Sequence, residues 1–180
     1  MIPASLTVRS ALSIALALIA VSCSAAELTG RVVKVQDGDT ITVLDANRTQ
    51  HKIRLAGIDA PEAHQAFGTR SRQNLAGMVF GKDVLVEWNK YERTKYVWNK
   101  RDQDKRKIGV VLVNGHDVNL EQVRAGMAWW YRYYARDQTP DDRRFYDSAE
   151  SEARAAKRGL WVDPAPMPPW EFRREGRNAR

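Results

Sequence analysis

The sequence predicts a mainly β, α+β domain: a five-stranded Greek-key barrel with three helices. Three observations carry that expectation. β-Branched runs recur between residues 29 and 55 with turn residues between them, a helix-spaced stretch separates the third run from a fourth and a fifth, and two capped helices follow.

Arg31 to Val35 is valine-rich, Asp37-Gly38-Asp39 is a turn, Thr40 to Leu44 is β-branched, Asp45 to Arg48 is polar, and Lys52 to Leu55 alternates, which predicts a three-stranded meander. Gly57 to Pro61 ends the third strand. Gly68 to Phe80 carries Leu75, Met78 and Val79 at helical spacing. Val84 to Trp88 and Ile108 to Val113 are the last two strands, joined by a long polar connection and followed by the turn Asn114-Gly115. In the second helix Asn119 is placed as the cap, Gln122 lies three residues on, and Gly126 ends it. Thr139 caps the third, with Pro140 at its first position and Gly159 at its end, after which Trp161 packs the chain back on the core. Five strands with a helix between the third and fourth is the order of an OB-fold barrel.

Ahead of the domain, Arg9 precedes the apolar run Ala11 to Val21, and small residues follow at Ser24, Ala25 and Ala26. This pattern predicts a secretory signal over residues 1–26, too short for a comfortable membrane span. A lesser alternative makes Cys23 a lipid-modified first residue. The folded domain is expected over 27–163, secreted or periplasmic, and without cysteine, so thiolate chemistry and disulfides are excluded from it. The tail, 164–180, holds four of the seven prolines and ends in arginine-rich sequence, and is expected to run extended over the surface. A net charge of +7 favours a polyanionic partner without naming it.

Two acidic turns carry the first candidate chemistry. Taken alone, Asp37-Gly38-Asp39-Thr40 reads first as a plain turn, and Ile58-Asp59-Ala60-Pro61-Glu62 reads equally well as one. Together they are more informative, because antiparallel neighbours can bring Asp39, Asp59 and Glu62 to one barrel end. Converging carboxylates repel unless a cation neutralises them, and an all-oxygen set suits Ca²⁺ or Mg²⁺. Alternation directs Arg54, Ala56 and Ile58 to one face, the barrel interior or its mouth, where Arg54 is either a buried ion-pair partner or a guanidinium fork for phosphate. Lys90 to Lys107 carries eight basic residues against three acids, interleaved with Tyr91, Tyr96 and Trp98. It is either a solvated loop or a surface for single strands. The cluster Trp129, Trp130, Tyr131, Tyr133, Tyr134 reads mainly as packing, and the three histidines lack ligand spacing.

In this order, VVKVQDGDTITV, IRLAGIDAPE, QAFG, IGVVLVNG with the preceding Arg106, VNLEQVRAGMAW and SEARAAKRGLW resemble the staphylococcal nuclease (thermonuclease) family over nearly all of Leu28 to Trp161. The resemblance implies a Ca²⁺-dependent phosphodiesterase that cuts DNA and RNA and leaves 3′-phosphate ends. It implies Asp39 and Asp59 as calcium ligands, the Ala60 backbone carbonyl as another, Glu62 as the residue activating water, and Arg54 and Arg106 as phosphate contacts. Tyr134 and Lys105 are expected at the substrate. The chain departs from the family at Asp104 and Lys105, which stand where a Tyr and a Gly are usual, so Arg101 is the alternative to Arg106. Arg132 replaces a second nucleotide-contacting Tyr. The expected partners are DNA and RNA, single strands preferred, with the chain a monomer lacking a stable membrane span. A non-catalytic nucleic-acid-binding module on the same barrel is the rival reading.

Overall fold

Ala26–Val35 (β1), Thr40–Leu44 (β2) and Gln50–Leu55 (β3) form the expected meander in the structure, a computed structural model that describes residues 26–91 and 106–178. Asp83–Tyr91 (β5) adds antiparallel to the outer side of β1, from Ala26 opposite Trp88 to Arg31 opposite Asp83. Lys107–Val113 (β6) pairs antiparallel with β5 and parallel with β3, Ile53 facing Lys107, and this last ladder closes the ring in the order β3-β2-β1-β5-β6. Closure leaves neither β3 nor β6 an open edge at that seam. Asn114 and Gly115, at φ 51° and 79°, make the left-handed turn to the short His116–Asp117 (β7), which extends the sheet beside β6. Ile58–Asp59 (β4) forms a separate ribbon with Trp129–Trp130 (β8).

The inward faces of five strands supply the core. Val32, Ile41, Val43, Ile53, Leu55, Val86 and Val111 are each 1% exposed or less. Interior alternation on β3 therefore belongs to Ile53 and Leu55, and Arg54 lies on the opposite face. The expected single face for Arg54, Ala56 and Ile58 does not survive, because Gly57 turns at φ 73° and resets the alternation before β4 buries Ile58.

Helix α1 (Gly68–Val79) seats Leu75 and Val79 in the core. Helix α2 (Val118–Arg124) is capped by Asp117, whose carboxylate accepts from the Leu120 amide, and not by Asn119. Asn119 is buried inside the helix, accepts from the Val111 amide and donates to the Ala56 and Gly109 carbonyls, locking α2 to the β3–β6 seam. Thr139 caps α3 (Pro140–Ala155) in a capping box with Asp142, and Leu160 and Trp161 fold back on Trp129 and Ala153.

Where three helices were expected the described residues hold four α-helices, besides short 3-10 helices at Arg132–Asp137 and Gly159–Val162. The tail is not extended throughout: from its last proline it forms α4, Pro169–Asn178. Its start obeys the rule used for α3, with Pro at the first helical position, Glu171 in the first turn and Arg177 in the last. No helix of the described residues is long and apolar enough to cross a membrane. Of the expected leader over 1–26, residues 1–25, Cys23 included, lie outside the described residues, as do Lys105, Arg101 and most of the basic stretch.

Asp117 also accepts from the Tyr146 hydroxyl at 2.8 Å, and burial pushes its carboxyl above the usual carboxylate range. An acid raised in the folded state adds stability at low pH and loses it as pH climbs through the folded value. Tyr146→Phe removes a donor to the ionised form. Its cost is expected to be smaller at acid pH, where the carboxyl is protonated, and to rise toward about 1–3 kcal/mol as pH climbs and the carboxylate ionises, as read by urea unfolding across pH.

Candidate active site

The site is assembled by the β1–β2 turn, β3 and the segment after β4. Gly38 is required by close approach: a Cβ there would lie 1.8 Å from Ser71 Oγ and 2.7 Å from the Ala60 Cβ. Gln122 Nε2 donates to the Gly38 carbonyl at 2.7 Å, fixing the turn from beneath. The Asp39 amide donates to Asp37 Oδ1, which aims the Asp39 side chain inward. Asp39 Oδ1 accepts from Thr40 Oγ1, and Oδ2 accepts from the Ala60 amide, both at 3.0 Å.

Arg54 joins the two acidic turns. Its Nη2 lies 3.2 Å from Asp39 Oδ2 and 2.8 Å from Asp59 Oδ1. Asp59 is fully buried, since the β4–β8 ribbon places Trp129 opposite it. Glu62 follows Pro61 with its side chain 40% exposed, and Gln65 Oε1 accepts from its amide. The sequence therefore brings Asp39, Arg54, Asp59, Ala60 and Glu62 together as expected. Arg106 and Tyr134 line the same cleft, about 700 Å³ in volume. The ion-pair reading of Arg54 and its placement at the cleft hold at once.

The aromatic cluster divides. Trp129 and Trp130 are buried, whereas Tyr133 and Tyr134 are exposed and meet edge to face at 4.9 Å. Arg132 is drawn away from the cleft onto Glu150 and Asp147 of α3, its guanidinium 4.2 Å from the centre of the Trp130 ring.

Arg173 of α4 is the site residue that the sequence did not disclose. Its Nη2 donates to Asp59 Oδ2 at 2.6 Å, and Nη1 donates to Asp59 Oδ1 at 3.2 Å and to Glu62 Oε1 at 2.6 Å. Burial would lower the Arg173 pKa, but these bonds hold it above the usual arginine range. Burial pushes Asp59 above the usual carboxylate range, with the Asp39 charge adding and the Arg173 and Arg54 guanidiniums opposing. Asp37 is pushed up to about 6, by burial first and then by Asp39. The helical signature of α4 was the available signal for the element, though not for the contact.

These side chains can hold a hard cation. Asp39 and Asp59 are at most 3% exposed and offer oxygen alone. Among the described residues no group of three His, Cys, Asp or Glu side chains is set out as a ready metal cage. The all-oxygen chemistry of the donors suits a hard cation such as calcium even so.

Residues 52–163 match the family model described as "Staphylococcal nuclease homologue". The chain is 43% identical to a protein named ParB from Escherichia coli, over 92% of this chain and 91% of that one. It is 42% identical to a micrococcal nuclease from Shigella flexneri, over 86% and 85% of the two chains. A protein of Haemophilus influenzae named as an uncharacterized endonuclease is 38% identical over 86% of this chain and 78% of its own length. The closed barrel, the two acidic turns joined by Arg54 and these matches together place the chain in the staphylococcal nuclease homologue family.

Proposed function

We propose that the chain is an exported, calcium-dependent nuclease that hydrolyses phosphodiester bonds of DNA and RNA with little sequence preference and leaves 3′-phosphate ends. The observation that carries this reading is the Arg54 bridge between Asp39 and Asp59 with Glu62 at the same cleft. The micrococcal nuclease and endonuclease relatives support a nuclease.

Asp39 and Asp59 would hold the cation, with the Ala60 backbone carbonyl as a further oxygen, and calcium there would supply Lewis acidity toward phosphate. Glu62, the most exposed of the three carboxylates, takes the proton from the attacking water. The water oxygen bonds to phosphorus as the bond from phosphorus to the 5′-oxygen breaks, and the departing alkoxide takes up a proton. Arg54 and Arg106 donate to the phosphate oxygens as charge builds on them. Tyr134, 39% exposed beside the cleft, offers a ring face to a base, and Lys105 neutralises backbone phosphate. The enzyme acts as a monomer, with single strands preferred because their bases are open to stacking.

Incubation with end-labelled single-stranded DNA and RNA in calcium tests the reading. Fragments ending in 3′-phosphate, on which a polymerase extends only after phosphatase treatment, are expected. Binding of both strands without cutting would instead establish the non-catalytic module.

A further inference from the structure

The cation that meets Asp59 and Glu62 in this structure belongs to the protein itself. Arg173 reaches Asp59 with both terminal nitrogens and Glu62 with one, so a single planar group occupies oxygens assigned above to calcium and to water activation. Its placement is not that of a loose surface arginine. Pro169 is buried, and Trp170 stacks on Tyr131 at 5.3 Å and meets Trp129 edge-on at 6.4 Å. Gln65 Nε2 donates to the Met167 carbonyl at 2.6 Å, fastening the connection that leads into α4. The family match stops at residue 163, before this helix begins.

We propose that α4 is an autoinhibitory strap, with Arg173 docking at Asp59 and Glu62 in competition with the divalent cation. This rests on the reading of those carboxylates given above. Both oxygens of Asp59 accept from Arg173, so the docked guanidinium and a cation held by Asp59 exclude one another. Docking also takes one oxygen of Glu62, the proton acceptor, so the docked form is short of both cation and base. Calcium then releases the strap by binding the undocked form, and its apparent affinity falls by the fraction of molecules undocked. A strap docked in nine molecules of ten weakens calcium about tenfold, within the ordinary range of coupling between two sites.

The test is calorimetric titration of calcium into the full chain without nucleic acid. Arg173→Gln removes the charge, while Trp170→Ala unseats the helix and leaves the arginine in place. Both are expected to tighten calcium about tenfold, and thermal melting establishes that each variant is folded. In the unaltered protein calcium is expected to speed trypsin cleavage after Arg173 and Arg174. Equal calcium affinity in all three proteins overturns the strap while leaving the calcium site standing. Tightening by Arg173→Gln alone also overturns it, since loss of any nearby positive charge would do that. If calcium binds neither the parent nor either variant, the assignment of the carboxylates fails and the strap fails with it.

Discussion

Glu62→Gln is expected to lower kcat by about 10²–10⁴-fold with little change in KM, the range that a positioned general base contributes. The substitution keeps size and shape. An amide cannot accept the water proton at neutral pH, so the loss falls on the chemical step. The surroundings let the variant be read cleanly. Glu62 is 40% exposed, and its loop is held through its backbone amide to Gln65, which the substitution leaves alone. Its one assigned side-chain partner is Arg173, and a glutamine oxygen still accepts from a guanidinium. Steady-state rates on a single-stranded oligonucleotide, at saturating and at limiting substrate, check the expectation. Turnover near the parent value would remove Glu62 from the mechanism.

Arg54→Lys is expected to cost about 10²–10³-fold in kcat, the scale for losing a preorganised donor to transition-state charge. Lysine keeps the charge but loses the planar fork that lets one side chain hold Asp39 and Asp59 and still face the cleft. Arg54→Ala adds a fold effect. It leaves Asp39 and Asp59, both buried, without the group that bridges them, and about 3 kcal/mol of stability should go, the low end for breaking a buried pair because Arg173 still holds Asp59. Urea unfolding in chelator reads that loss. Added calcium should restore part of it, since binding to the folded state alone is stabilising. A Lys variant with parent turnover would reduce Arg54 to a structural ion pair.

The barrel was legible because its strands carry local signals. Valine-rich runs, the Asp37-Gly38 and Asn114-Gly115 turns and the helix before the fourth strand each report on their own neighbourhood, and closure through β3 and β6 follows from their order. The acidic turns and Arg54 were legible for the same reason: they lie within 26 residues of one another on consecutive strands. Asn119 was misplaced as a cap because Asn and Asp are both good caps two residues apart, and burial against the β3–β6 seam decides between them. Arg173 was beyond reach. Its contact with Asp59 spans 114 residues, and no local pattern records which arginine of a basic helix will face a carboxylate. The four tail prolines hid α4 itself, although after Pro169 the tail has no proline and Pro169 gives the same start signal as in α3.

The central claim is that Asp39 and Asp59 hold the calcium on which phosphodiester cleavage depends. Its most direct test is the initial rate on single-stranded DNA as calcium is titrated into chelator-stripped enzyme, for the parent and for Asp39→Asn. No cleavage is expected in chelator, with recovery in calcium and a half-saturating calcium concentration raised at least about tenfold in the variant, because calcium prefers a charged oxygen to an amide. Undiminished cleavage in chelator, or the same calcium dependence with Asn at 39, would contradict it.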